Sequence, residues 1–216
     1  MRRRIDVVLL GAGGLAREAV EATRTRPSRG RITVFGYLDD AFSKQDQRIG
    51  GLPVLGPTTS ADGLAVHLRF VAAVAASADP SRRSRLVERL GLPEARYARI
   101  IHPAASLAPS TTIGAGTIVL AGVVATCDVI IGRHVAVMPG CVLTHDVILG
   151  DGCTLASGVQ LAGAVQVGPD AYVGSGAAIR EGVRIGAGAV VGMGAVVIRD
   201  VPAGEVWAGV PARRLR

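Results

Sequence analysis

Residues 113–150 read IGAGTIVLAGVVATCDVIIGRHVAVMPGCVLTHDVILG, and the spacing of Ile, Val and Leu in this stretch decides the fold. Stepping by six from Leu107 meets Ile113, Val119, Ala125, Ile131, Val137, Leu143 and Leu149, and the series stays aliphatic through Val197. Stepping four further from each meets Thr111, Thr117, Val123, Val129, Val135 and Cys141, and every member through Val201 is small or β-branched. A helix repeats its apolar positions about every 3.6 residues and a half-buried strand every two, so neither explains a period of six. A six-residue unit with one large aliphatic and one small inward residue predicts a parallel β-helix. Gly114, Gly132, Gly150, Gly168 and Gly186 recur every eighteen residues, so three units make one triangular coil. These glycines are expected at corners where the backbone takes unusual dihedral angles.

Residues eighteen apart then stack on adjacent coils, about 4.8 Å apart like neighbouring strands. One outward column is Cys127, His145, Gly163 and Glu181; another is Ala136, Thr154, Tyr172 and Val190. His145 therefore lies between a small thiol and a glycine. That leaves room for a ligand and exposes a backbone N–H beside the imidazole.

The first hundred residues follow a different pattern. An aliphatic run at 7–10 leads into Gly11-Ala12-Gly13-Gly14-Leu15-Ala16, and 17–25 reads as a helix. Residues 32–38 read as a second strand ending in Asp39-Asp40, 70–75 as a further strand and 81–90 as a helix. A glycine-rich strand-to-helix turn with an acid about 20 residues on is a nucleotide-binding pattern. The glycines let a phosphate approach the helix N-terminus, where N–H groups and the dipole favour anions. The segment is too short for a six-stranded doubly wound domain, and half of one holds a mononucleotide. The expected division is 1–100 as a Rossmann-like nucleotide-binding domain with linker and 101–216 as the β-helix with a C-terminal tail.

Composition agrees with this reading. With 29 glycines, 49% hydrophobic residues and only 3% aromatics in 216 residues, the core is built from thin aliphatic layers. That aliphatic content excludes intrinsic disorder. The net charge of +7 comes with a single lysine, Lys44. An arginine-rich balance suits acidic small molecules such as nucleotides or coenzyme A. A nucleic-acid binder would add a basic stripe with interleaved aromatics, which is missing. The basic runs at 2–4, 82–85 and 213–216 are short and read as solvated faces or tails. Mean hydropathy is +0.40. However, Pro103, Pro109, Gly114, Gly116 and Gly122 interrupt the charge-free stretch at 100–127, so no membrane span is expected and a soluble cytoplasmic protein is. Cys127, Cys141 and Cys153 include no CxxC pair, which argues against a disulfide framework or structural zinc.

The motifs Ile113-Gly114, Ile131-Gly132, Leu149-Gly150, Val167-Gly168 and Ile185-Gly186 resemble the hexapeptide-repeat, left-handed β-helix acyltransferases. The whole layout sharpens the likeness. A short Rossmann-like domain, Ile101-His102-Pro103, an uninterrupted repeat and a terminal Gly209-Val210-Pro211-Ala212-Arg213 together resemble the sialic-acid O-acetyltransferases and bacterial nucleotide-amino-sugar N-acetyltransferases. The resemblance implies acetyl-CoA as co-substrate, a nucleotide sugar as acceptor, and a homotrimer with active sites between subunits. It implies His145 as general base, with the adjacent acid Asp146, and Gly163 as the backbone donor to the thioester oxygen. Thr154, Gly192, Met193 and Gly194 are implied on the acetyl-CoA side; Gly11, Gly13, Gly14 and Asp39 on the acceptor side. Some members carry a second His where this chain has Thr154, and a His in the glycine-rich loop where it has Leu15.

The other histidines fit bland roles. His67 reads as a surface residue, His102 as structural beside Pro103, and His134 as exposed near a corner. A β-helix enzyme with a three-His zinc site is disfavoured because His134 and His145 are eleven apart and do not stack; no metal is expected. Three readings stay open: an N-acetyltransferase of nucleotide amino sugars, a sialic-acid O-acetyltransferase, and a non-catalytic nucleotide-binding scaffold. Cys127 beside His145 reads as a packing residue rather than a nucleophile, since nothing near it lowers a thiol pKa.

Overall fold

The computed structural model describes residues 4–25 and 32–215. Arg2, Arg3 and Arg216 of the basic termini lie outside the described residues. The N-terminal part is a three-stranded parallel sheet of β1 (Ile5–Leu10), β2 (Ile32–Leu38) and, after the short hairpin strands β3 (Arg48–Ile49) and β4 (Leu52–Pro53), β5 (Arg69–Ala72). The strand order is β2-β1-β5, with β1 central. Helix α1 (Gly14–Arg24) follows β1 and buries Leu15, Ala16, Ala19, Val20 and Ala22. Helix α2 (Arg82–Leu90) follows β5 and ends at Gly91 in the left-handed conformation, whose N–H caps the last turn. That is the usual way to stop a helix without an orphan carbonyl.

From Ile100 onward the chain is a three-sided parallel β-helix. Two-residue strands stack into sheets of eight, six and five strands. Register is eighteen until the last coil: Ile130 pairs with Ile148 and Thr112, and Val142 pairs with Val124 and Gln160, whereas Val190 pairs with Val206, sixteen on. Each six-residue unit sends one large aliphatic and one small side chain inward. Val119, Val137, Leu143, Leu149, Leu155 and Val173 are at most 1% exposed. Truncating one such leucine would cost about 2–5 kcal/mol, because stacked layers collapse poorly around a hole. The first face carries Ile118, Ala136, Thr154, Tyr172 and Val190; the second Val124, Val142 and Gln160; the third Ile130, Ile148 and Gln166. Turns at 115–116, 133–134, 151–152 and 169–170 form corner 1; those at 121–122, 139–140, 157–158, 175–176 and 193–194 corner 2; those at 127–128, 145–146, 163–164 and 181–182 corner 3.

The eighteen-residue glycines have a different cause from the one expected. Gly114 and Gly150 do not take positive φ. A side chain on Gly114 would sit 2.5 Å from the Arg133 nitrogen, and one on Gly150 2.6 Å from the Pro169 nitrogen. They are glycine because the next coil passes too close for a Cβ. Positive φ falls instead on the turn residues two further along, such as Gly116 and Gly152.

The N-terminal sheet joins the solenoid without a loose linker: Tyr97 bridges Phe70 of β5, and the Ile100 strand then pairs with Ile118. At the far end Arg213–Arg214 runs antiparallel to Trp207–Ala208, so the basic C-terminal run is part of a strand as far as Arg214. Trp207 and Ala212 are buried over the last coil. Among the described residues no helix is long and apolar enough to cross a membrane.

Candidate active site

A cavity of about 870 Å³ opens at the C-terminal ends of the N-terminal strands, lined by the loop at 11–15, by Asp39, Asp40, Ala41, Lys44 and Thr58, and by the cationic side of α2. Strand order explains the layout: the glycine loop leaves the central strand, Asp39 ends one neighbour, and Ala73 to Ala75 end the other. Gly11 has φ +99, and a Cβ there would meet Val74 at 2.5 Å. Gly13 and Gly14 face open space. Helix α1 begins with no side-chain cap and no acid in its first turn, so its N-terminal N–H groups and dipole are available to an anion.

Asp39 organises this loop. Its Oδ2 accepts from the Ala12 N–H at 2.7 Å and from Lys44 Nζ at 2.8 Å, and its Oδ1 from the Ala41 N–H at 2.9 Å. Burial raises the Asp39 carboxyl pKa, but these donors outweigh it and hold the group below the usual carboxylate range. Asp40 behaves alike: partial burial is outweighed by the Thr58 hydroxyl and N–H and by Arg89, 2.7 Å from Oδ2.

The basic run at 82–85 is divided: Arg82 and Arg85 are exposed, as expected, and Arg83 is buried. Arg82, Arg85 and Arg89 line the cavity, spaced along one side of α2. The i, i+3, i+7 spacing was the signal in the sequence, since residues so placed share a helix face. Arg83, on the opposite side, is 2% exposed. It donates to the carbonyls of Val74 at 2.9 Å, His134 at 2.8 Å and Cys153 at 3.2 Å, and to Thr154 Oγ1 at 2.7 Å. Burial pulls its pKa down to about 10, so the guanidinium stays charged at neutral pH. Next to it, Ser84 donates to Asp170 at 2.5 Å. Helix α2 is thereby clamped to corner 1. Thr154 lies beneath Arg83 and is 3% exposed. The expectation of an exposed His134 is corrected. It is only partly exposed, its ring meets Tyr97 edge-on, and burial, then the Arg83 charge, push its pKa down to about 4.

His145 sits at corner 3 with its side chain 64% exposed. Its Nδ1 lies 2.8 Å from Asp146 Oδ2. With Asp146 as acceptor, Nδ1 carries the proton and Nε2 presents a lone pair. That Nε2 lies over Gly163: a Cβ on Gly163 would be 2.3 Å from it. The Gly163 N–H makes no hydrogen bond among the described residues. A basic nitrogen and a free backbone donor thus meet at one exposed corner, which suits removal of a proton beside a developing oxyanion. Cys127, one coil below, has its thiol pKa raised, first by its hydrogen bond to Asp128 and then by that residue's charge, which opposes thiolate formation. His67 is exposed, and His102 Nδ1 accepts from the Ala104 N–H at 3.0 Å in the first corner-2 turn. Among the described residues no three His, Cys, Asp or Glu side chains converge to hold a metal.

Gly192, Met193 and Gly194 occupy the last corner-2 turn, with Met193 81% exposed. Within one chain, then, the cavity lies beside corner 1, His145 and Gly163 on corner 3, and Met193 on corner 2. Six residues of extended chain separate successive corners, roughly 20 Å. The fold of a single chain keeps the three groups on different edges of the prism.

Comparison with known proteins gives a consistent picture. The family model for bacterial transferase hexapeptide (six repeats) matches residues 128–163 and 164–199. No curated protein matches the chain. Among solved structures, PerB from Caulobacter crescentus, in complex with CoA and GDP-perosamine, is 33% identical with a TM-score of 0.84, and the match covers 98% of this chain and 97% of that one. The acetyltransferase domain of PglB from Neisseria gonorrhoeae FA1090, in complex with acetyl coenzyme A, is 28% identical with a TM-score of 0.85, covering 98% of this chain and all of that one. WeeI from Acinetobacter baumannii AYE is 25% identical with a TM-score of 0.67 over 98% of this chain.

Proposed function

This chain belongs to the hexapeptide-repeat acyltransferases that include the bacterial nucleotide-amino-sugar N-acetyltransferases, and from that premise we propose that it acetylates the amino group of a nucleotide-linked amino sugar. It is an acetyl-CoA-dependent acetyltransferase. His145 Nε2 takes the proton from the acceptor amine as the nitrogen attacks the thioester carbonyl. Asp146 holds the imidazole in the required tautomer and stabilises the imidazolium. The Gly163 N–H donates to the carbonyl oxygen as it gains charge. When the tetrahedral intermediate collapses, the carbon–sulfur bond breaks and the thiolate leaves with its electron pair. The observation that carries this reading is the free Nε2 of His145 over the unpaired Gly163 N–H.

Residues 1–100 hold the nucleotide in the cavity above the glycine loop, and residues 101–216 carry out the transfer. Because cavity, base and Met193 turn lie on different edges of one prism, the working unit is a homotrimer in which neighbours bring them together. Ile130 and Ile148, 47% and 40% exposed on the third face, give such an assembly apolar surface to cover. The nucleotide handle positions the amine without reacting, and so contributes to kcat.

The test is release of CoA thiol from acetyl-CoA against a panel of nucleotide-linked amino sugars and free sialic acids. Thiol release with at least one nucleotide amino sugar, lowered about 10²–10⁴ in His145→Ala, is expected. Better kcat/KM for O-acetylation of a free sialic acid than for every nucleotide amino sugar would overturn the reading.

A further inference from the structure

A second cavity, of about 420 Å³, runs as a groove along α1. One wall is a single helix face, Gly14, Glu18 and Glu21, at the four- and three-residue spacing that keeps side chains on one side. The other wall is the corner-2 edge of the solenoid, with Leu120, Ala121 and Pro139 and, at the first turn, His102. Gly14 also lines the larger cavity, so the groove opens off that cavity at the first residue of α1. A ligand whose diphosphate rests on the glycine loop has its next group at the mouth of this groove. In a nucleotide sugar that group is the sugar ring.

Two polar side chains of the groove have capacity to spare. His102 Nδ1 accepts from the Ala104 N–H at 3.0 Å, and the Ala105 N–H closes the same turn on the His102 carbonyl at 2.9 Å. A ring nitrogen that accepts carries no proton, so the imidazole proton sits on Nε2. The turn accounts for Nδ1 and leaves the Nε2 donor, without a partner among the described residues, to the groove. On the helix wall Glu21 is held by Arg24 at 2.8 Å, whereas Glu18 has no ion pair among the described residues. Glu18 stands four residues, about 6 Å along the helix axis, beyond Gly14. Arg17 is the remaining charged group of the lining; three residues from Gly14, it suits the phosphate that carries the ring. A carboxylate and a fixed N–H donor beside the apolar Leu120, Ala121 and Pro139 complement a ring with hydroxyls on its edge and C–H groups on its face.

We propose that the groove along α1 holds the acceptor's sugar ring, with His102 Nε2–H donating to one ring hydroxyl and Glu18 accepting from another. The two side chains come from different parts of the chain, one from the helix and one from the solenoid, so together they fix which edge of the ring is offered for acylation. Held at both edges, the ring keeps its amine in one place, which is how binding away from the reacting atom raises the rate. This inference rests on the nucleotide-sugar reading above and goes further by giving the ring a site on the chain that binds the nucleotide.

The two nitrogens of His102 let its turn role and its groove role be separated. In His102→Asn the amide oxygen stands in for Nδ1 and keeps the Ala104 contact, while nothing reaches as far as Nε2. UDP, GDP and dTDP, and UDP-glucose, GDP-mannose and dTDP-glucose, are titrated calorimetrically into the intact protein. The four histidines are followed by nitrogen NMR spectra of histidine-labelled protein. At least one sugar conjugate is expected to bind at least roughly tenfold tighter than its diphosphate, as for one hydrogen bond to a charged group, and to shift the His102 Nε2 signal where the diphosphate does not. His102→Asn and Glu18→Ala are each expected to erase that margin, with diphosphate affinity and melting temperature at parent values. Equal binding of conjugates and diphosphates, an unaltered margin in either variant, or a His102 signal that answers conjugate and diphosphate alike overturns the inference while leaving the nucleotide reading standing. A change of oligomeric state in Glu18→Ala assigns the groove to a neighbouring chain and also overturns it. Failure of every diphosphate and conjugate to bind overturns the nucleotide reading itself, and the inference with it.

Discussion

Gly163→Ala separates the position of the base from every other contribution at corner 3. An added Cβ at Gly163 lies 2.3 Å from both Nε2 and Cε1 of His145. Non-bonded carbon contacts settle near 3.5–4.0 Å, so the imidazole must retreat by roughly 1.2 Å or more. A displacement of about 1 Å of a reacting group costs about 10² in rate, or about 2.7 kcal/mol of barrier at 1.36 kcal/mol per decade. The fold should not notice. Gly163 is outside the left-handed region, and the exposed His145 ring can swing outward. The substitution also keeps the backbone N–H, so oxyanion binding is retained and only the base moves. Thiol-release kinetics are expected to show kcat down about 10² with a melting temperature within about 4 °C of the parent. His145→Ala is expected to lose about 10²–10⁴, and the double variant little more than His145→Ala alone, since both act on one group. A Gly163→Ala enzyme with undiminished kcat would refute the placement of the base over this glycine.

Four further outcomes are expected. Gly13→Val places its branches in open space over the loop, so the fold should persist while acceptor KM rises at least roughly tenfold and acetyl-CoA KM holds; parallel steady-state titrations check this. His134 is held near pKa 4 in the folded chain against about 6.5 unfolded, so in that window only the unfolded chain gains the proton and stability falls as pH drops; melting curves from pH 7 to 4 should be flatter for His134→Gln, and an unchanged slope would count against it. Arg83→Met leaves the carbonyls of Val74 and His134 without their donor and should cost at least about 3 kcal/mol in urea unfolding, with Thr154→Val much milder. Light scattering should find about three times the 22.1 kDa chain mass; a stable monomer at micromolar concentration would remove the proposed inter-subunit site.

The solenoid was legible because its stabilising contacts repeat. Each inward residue meets its equivalent eighteen positions away, so a period in the sequence is a contact in space, and the His145, Gly163 and Cys127 column could be read from arithmetic. The glycine-rich turn and the acid after β2 were legible for a similar reason, since both are local to a strand end. For the glycines of the eighteen-residue series the pattern is ambiguous: close approach of the next coil and positive φ both select glycine, and only the stacking of the coils distinguishes them. What the sequence could not disclose is how the two parts dock. Beside an apolar cluster that joins Ala16, Ala19 and Val20 to Ile118, Leu120 and Ala136, the contacts of α2 join residues 51 to 86 positions apart, from Arg83 to His134, Cys153 and Thr154 and from Ser84 to Asp170. No periodicity marks them, because each occurs once. That docking buries Thr154, shields His134 and turns Arg82, Arg85 and Arg89 into the cavity. It also sets the cavity beside one corner of the prism while the base stays on another. Hydrophobic patterning determines which residues face inward within an element; which outward residues then meet one another is settled only when whole surfaces pack.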